Sequence, residues 1–195
     1  MFKAAFSLAY HGLLRISELT VCTQNISNHT GVVHNVEICN DYLDVYLSSS
    51  KTDQFGKGTT IYIPAQTDYK ICPLNLLKSF LQIRPNLEGQ LLCHFNGTLL
   101  ARYQFSALLK RSLSTLGLRS SRLTSHSFRI GRATTFAVEG LFDDEIKRLG
   151  RWESNAYLRY TFVFASQFKY ICVFQKGGGV VASSCKHLGK WLIAI

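Results

Sequence analysis

Proline is scarce in this chain, with three in 195 residues, and that scarcity leaves little room for a disordered linker. Acidic residues are also few: 12 Asp and Glu face 22 Lys and Arg, for a formal charge of +10. A surface this basic attracts polyanions, with nucleic acid the leading partner, and salt weakens the attraction. No run approaches the ~18 uninterrupted apolar residues of a membrane span, so no membrane partner is expected. The first ten residues, Met1 to Tyr10, lack a small-residue cleavage site and run on into His11-Gly12-Leu13-Leu14-Arg15, which favours a core helix over a signal peptide. None of the six cysteines (Cys22, Cys39, Cys72, Cys93, Cys172, Cys185) forms a C-x-x-C pair, and His34, His94 and His126 show no zinc-ligand spacing. Buried, reduced thiols and an intracellular protein without a metal are expected. The three glycosylation sequons, at Asn25, Asn28 and Asn96, are therefore read as chance.

Hydrophobic content of 47% and charged content of 17% fit an ordinary globular domain. Phe2, Phe6, Ala9 and Leu13 share one face at helical spacing, which predicts an amphipathic helix cut at Gly12. Ser17-Glu18-Leu19 predicts a second, short helix capped by Ser17. Alternating residues over 32–38, 42–47 and 59–64 predict a small antiparallel sheet, with a polar loop carrying Lys51 and Lys57 between the last two strands. Pro73 opens a helix that stops before Arg84-Pro85. Helices follow over 101–116, with a stripe of Phe105, Leu108, Leu109, Leu113 and Leu116, and over 126–138, 143–149 and 155–163, with Gly140 and Gly150 as breaks. The stretch from Phe168 to Ile195 has no clear period, and Gly177-Gly178-Gly179 lacks the glycine-lysine pair of a phosphate loop.

The chemistry concentrates in a few residues. Guanidinium forks meet the oxygens of a phosphodiester with paired hydrogen bonds, and Arg15 and Arg129 suit that role. His126 stands three residues before Arg129, on the same side of a helix. An imidazole there can take the proton that a phenol, of reference pKa ~10, must surrender to become a nucleophile. Tyr160, 31 residues after Arg129, supplies the phenol, with Tyr157 one turn earlier as its rival. A departing 5′ oxygen needs a proton, and Lys51 is the first candidate to deliver it, with Lys57 as competitor on the same loop.

In this order, Arg15, Lys51, His126, Arg129 and Tyr160 resemble the catalytic set of the tyrosine recombinase (phage integrase) family. Gly12-Leu13-Leu14-Arg15-Ile16-Ser17-Glu18-Leu19 is similar to that family's first arginine box, and His126-Ser127-Phe128-Arg129 with Gly131-Arg132-Ala133-Thr134 to its second. Leu149-Gly150-Arg151-Trp152 resembles the L-G-H segment, where histidine or tryptophan helps hold the phosphate nine residues before the nucleophile. That spacing selects Tyr160 over Tyr157. Arg151 occupies the phosphate-holding position and Trp152 follows it, so Arg151, Trp152 or both are candidates for the contact. Glu18 matches a position that supports the first arginine, and Arg151 is given a similar supporting role. The G-R-W form, with Ser154, Ala156, Arg159 and Tyr160 after it, is reminiscent of recombinases of Crypton-like and DIRS-like mobile elements.

The resemblance implies a mainly α fold with a small three-stranded antiparallel β-sheet (α+β), the catalytic core of the family, over residues 1–165. Residues 166–195 form a C-terminal tail, and an N-terminal DNA-clamp domain is expected to be absent. It further implies double-stranded DNA as substrate and a homotetramer on DNA as the working assembly. The expected activity is strand cleavage and rejoining through a 3′-phosphotyrosyl intermediate, which conserves the ester energy and needs no cofactor. The location would be nuclear in a eukaryote and otherwise cytoplasmic. A DNA-binding relic without turnover and a type IB topoisomerase-like activity are the alternatives.

Overall fold

Helix α1 (Phe2–His11) is the axle of the fold, and its small residues explain why. Ala4, Ala5, Ser7 and Ala9 let neighbouring elements approach closely, and every residue from Ala4 to His11 is buried. The single apolar face predicted from the sequence is therefore incomplete, because α1 packs against other elements on more than one side. Two of its polar groups are satisfied internally: the Ser7 hydroxyl donates to the Ile71 carbonyl at 2.6 Å, and the Tyr10 hydroxyl pairs with Thr135 at 2.8 Å. A computed structural model describes residues 1–22, 35–48, 57–117, 123–154 and 158.

Helix α1 stops at Gly12, where a Cβ would lie 2.6 Å from the Ile63 side chain. Leu13 then turns with φ 49, and α2 (Ile16–Leu19) follows. The predicted cap is corrected here. Arg15, not Ser17, is the N-cap, and the Glu18 carboxylate turns back to accept the Arg15 backbone N–H at 2.7 Å.

Strands β1 (Val36–Ile38), β2 (Tyr42–Leu47) and β3 (Thr59–Pro64) form one antiparallel sheet in the order β1-β2-β3. Its register pairs Ile38 with Leu43 and Leu43 with Ile63. Leu43, Val45, Leu47, Ile61 and Ile63 point into the core, while Tyr46, Thr60 and Tyr62 alternate with them toward solvent. The predicted first strand began at residue 32, and residues 32–34 lie outside the described residues.

Helix α3 (Pro73–Ile83) begins at its proline and ends at Arg84, as proline geometry requires. Helix α4 (Arg102–Thr115) buries Phe105, Leu109 and Leu113. Leu116 does not continue that stripe: it lies past the last turn and is 38% exposed. Helix α5 (His126–Val138) brings Phe128 into stacked contact with Phe6, ring centroids 5.4 Å apart, and Phe105 meets Phe6 edge-on at 4.7 Å. These three rings join α1, α4 and α5. Helix α6 (Asp143–Leu149) carries three acids in its first turn and Lys147 and Arg148 in its last, matching the helix dipole at both ends. It closes a smaller cluster of Ala133 and Ile146 with Phe136, Leu141, Trp152 and Leu158. Apart from Leu158, the helix predicted over 155–163 lies outside the described residues, as does the tail from 166.

His11 is a cost that the core carries. It is 7% exposed, and neither ring nitrogen has a hydrogen-bond partner among the described residues. Burial, and then the Arg132 cation, push its pKa from 6.5 down to about 3. The unfolded chain therefore binds a proton that the folded chain refuses between those values. Stability is fully present above pH 6.5 and falls as pH drops toward 3, by at most about 1.4 kcal/mol per pH unit for this one group. Urea unfolding from pH 7 to pH 4.5 should show a steeper loss for the original chain than for His11→Leu, and parallel losses would refute the assignment.

Candidate active site

Three arginines and one glutamate meet where the turn after α1 faces the turn after α6. Glu18 is 2% exposed, and a carboxylate that deep is tolerated only when its oxygens are hydrogen-bonded and its charge is paired. Its Oε1 accepts from Arg15 Nη1 at 3.0 Å, and its Oε2 accepts from Arg151 Nη2 at 2.8 Å. With the Arg15 backbone N–H also on Oε2, both oxygens are filled.

Arg129 reaches the same place from the first turn of α5. It is 2% exposed, and its guanidinium donates from Nη1 to the Leu13 carbonyl and from Nη2 to the Gly150 carbonyl at 2.5 Å. The Leu13 carbonyl also accepts from Arg151 Nη2 at 3.2 Å, and the Arg151 carbonyl accepts from Arg15 Nη2 at 3.3 Å. Two left-handed residues, Leu13 and Arg151 (φ 54), bear two of the three carbonyls at this junction, and Gly150 bears the third. Such backbone is uncommon away from glycine and is often found at functional sites.

Trp152 lies under this cluster, with the Arg129 guanidinium 4.7 Å above its ring. The same ring packs onto Gly150 and joins the Ala133–Ile146 cluster, so Trp152 serves both as core and as a cation platform. His126, one turn before Arg129, keeps solvent exposure at the mouth. Partial burial, then the cations of Arg129 and Arg15, lower its pKa. An imidazole so placed is neutral at pH 7 and can accept a proton. Burial and the neighbouring guanidiniums also lower Arg129, to about 9, so it stays charged at neutral pH.

The structure thus brings Arg15, Glu18, His126, Arg129, Arg151 and Trp152 into one neighbourhood. Lys51 and both tyrosines, Tyr160 and Tyr157, lie outside the described residues, and Lys57 is exposed just before β3. Sequence reasoning did not find the Leu13 and Gly150 carbonyls that hold Arg129. Any residue carries a carbonyl, and the one available hint was glycine beside each of these turns. Among the described residues no group of His, Cys, Asp and Glu could hold a metal ion, and no helix is long and apolar enough to cross a membrane.

Three guanidiniums against one carboxylate leave the described cluster at +2, and burial of like charges is costly unless an anion answers them. Rigid donors at fixed positions suit the tetrahedral oxygens of a phosphate. Gly150 is the weak point of the platform, because a Cβ there would strike the Trp152 ring. In a Trp191→Phe background, Gly150→Ala should shift Trp152 emission to the red and destabilise the fold by about 1–3 kcal/mol through overpacking. Unchanged emission would show that Trp152 does not rest on Gly150.

No protein-family model and no curated protein matches the chain. Solved structures do. XerA recombinase is 15% identical with a TM-score of 0.62, covering 96% of this chain and 55% of that one. XerH site-specific recombinase bound to a palindromic difH substrate, in a post-cleavage complex, is 14% identical with a TM-score of 0.61, covering 87% of this chain and 44% of that one. The pre-cleavage XerH complex is 16% identical with a TM-score of 0.60, covering 90% and 43%. The chain spans about half the length of these proteins. Helix-rich with one small three-stranded antiparallel sheet, this chain has the fold of the tyrosine recombinase catalytic domain.

Proposed function

We propose that this chain cleaves and rejoins double-stranded DNA through Tyr160, in site-specific recombination or integration. The observation that carries the reading is the convergence of Arg15 and Arg129 on one buried junction, with His126 at its mouth. The fold shared with recombinases, one of them described on its DNA substrate before and after cleavage, supports it. The formal charge of +10 suits a polyanionic substrate.

In this reading the scissile phosphate sits against Arg15 and Arg129, whose donors meet charge developing on its nonbridging oxygens. His126 takes the proton of the Tyr160 phenol as its oxygen attacks phosphorus. The bond to the 5′ oxygen breaks, and that oxygen takes a proton from Lys51 or, as the competitor, Lys57. A 3′-phosphotyrosyl ester and a free 5′ hydroxyl result. Attack by a 5′ hydroxyl from another strand reverses each step and releases the tyrosine. Tetramers on paired sites, and an origin in a Crypton-like or DIRS-like mobile element, belong to the same proposal.

Nicked duplexes with randomised flanks test it, because loss of the short 5′ fragment traps the adduct. The original chain should form a covalent protein-DNA adduct, whereas Tyr160→Phe should form none while binding duplex within about twofold of the original. Duplex binding with no adduct from the original chain would leave the noncatalytic DNA-binding reading. Adducts lost in Tyr157→Phe and kept in Tyr160→Phe would reassign the nucleophile.

The imidazole gives a second check. Because Arg129 helps to lower the His126 pKa, Arg129→Gln should raise its titration midpoint in NMR toward 6.5. No upward movement would separate His126 from the arginine cluster.

A further inference from the structure

We propose that Arg151 is a positioning residue that locks Arg15 and Arg129 into one geometry, so that its loss lowers the rate of strand cleavage and not the affinity for DNA. This rests on the reading of the arginine cluster as a phosphodiester site. Arg151 shares an acceptor with each of the other two arginines. Its Nη2 donates to Glu18 Oε2, on the carboxylate that also holds Arg15, and to the Leu13 carbonyl, which also holds Arg129. Its own carbonyl takes Arg15 Nη2. The next residue, Trp152, lies flat beneath Arg129. One dipeptide at the turn after α6 therefore touches both arginines that arrive from α2 and α5.

A residue with one short side-chain donor could not do this. Both side-chain bonds leave from Nη2, the far end of the guanidinium, which reaches the Glu18 carboxylate and the Leu13 carbonyl together, while the left-handed turn of Arg151 aims its carbonyl at Arg15. The cost is a third buried guanidinium, whose Nε and Nη1 have no partner among the described residues. That cost is compatible with selection for rate. Without Arg151 the cluster would carry +1, which balances the single charge of a bound phosphodiester. With Arg151 it carries +2, which is closer to the charge that accumulates as a fifth oxygen joins phosphorus. Donors held rigid and a charge matched to the transition state both act on kcat.

The test uses the full chain, a nicked duplex at saturating concentration, and the variants Arg151→Ala and Arg151→Lys. Arg151→Ala should lower the saturating cleavage rate about a hundredfold while leaving duplex affinity within about threefold, and added guanidinium ion should restore the rate about tenfold. Arg151→Lys, which returns a charge on a shorter side chain without the planar guanidinium, should stay at least about tenfold below the original. A full rate in either variant, or a loss confined to affinity, overturns the proposal.

A second arm reads positioning without cleavage. In NMR of the isotope-labelled chain, the Arg15 and Arg129 Nε–H signals should broaden in Arg151→Ala and sharpen partly in Arg151→Lys. If the original chain forms no Tyr160 adduct, the functional reading fails, and this arm alone judges Arg151. Unchanged signals would then sink it.

Discussion

The buried carboxylate of Glu18 is the constraint on which the site depends. Placed 2% exposed, it would be among the most costly groups in the fold if left alone. It is not alone, because it receives a backbone N–H and a guanidinium from Arg15 and a second guanidinium from Arg151. Those bonds tie α2 to the turn after α6 across more than 130 positions of sequence. Breaking one partner from such a pair leaves an uncompensated buried charge, at a cost of about 3–5 kcal/mol, so the geometry is held by a penalty for leaving it. The site's rigidity and its electrostatic field thus come from the same atoms.

What places Glu18 is decided further back, at the end of α1. Ile63 on β3 sits against Gly12 so closely that no side chain fits there, and the helix gives way to the left-handed Leu13. That turn swings the Leu13 carbonyl out of the helical ladder and toward Arg129 and Arg151. An apolar contact between sheet and helix therefore aims a polar acceptor at the two guanidiniums. Phe128, one residue before Arg129, packs on Phe6 within the same helix α1. Core packing and site geometry are two faces of one helix pair.

Much of this was legible in the sequence, where local rules suffice. Pro73 and the Arg84-Pro85 step set the ends of α3, and the alternation of Leu43, Val45 and Leu47 gave the inward face of β2. The i,i+3 spacing of His126 and Arg129 placed both on one side of α5. Other features depend on neighbours distant in sequence. No periodicity could show that α1 is covered on more than one face, since Ser7 and His11 are polar in type and buried all the same. Ser17 looked like a cap by residue type, but the Glu18 carboxylate takes the Arg15 N–H and moves the helix start to Ile16. The carbonyl acceptors at Leu13 and Gly150 leave no trace in residue identity.

The arginine cluster is also a place where local stability is spent. Burial, and then the Arg151 and Arg15 cations, make Arg129 harder to charge. A fold selected for stability alone would replace some of these cations with apolar groups, since well-packed hydrophobic residues commonly match or exceed a buried ion network. Retaining three guanidiniums around one carboxylate, on two left-handed turns, makes sense for a site whose ligand brings negative charge. In the proposed reading, the charge that builds up on the phosphate in the transition state relieves the repulsion among the guanidiniums more than the bound ground state does. The same logic explains why Glu18 accepts only part of the available donors. A second carboxylate would bring the cluster to +1 and, in the proposed reading, would remove the charge held in reserve for the transition state.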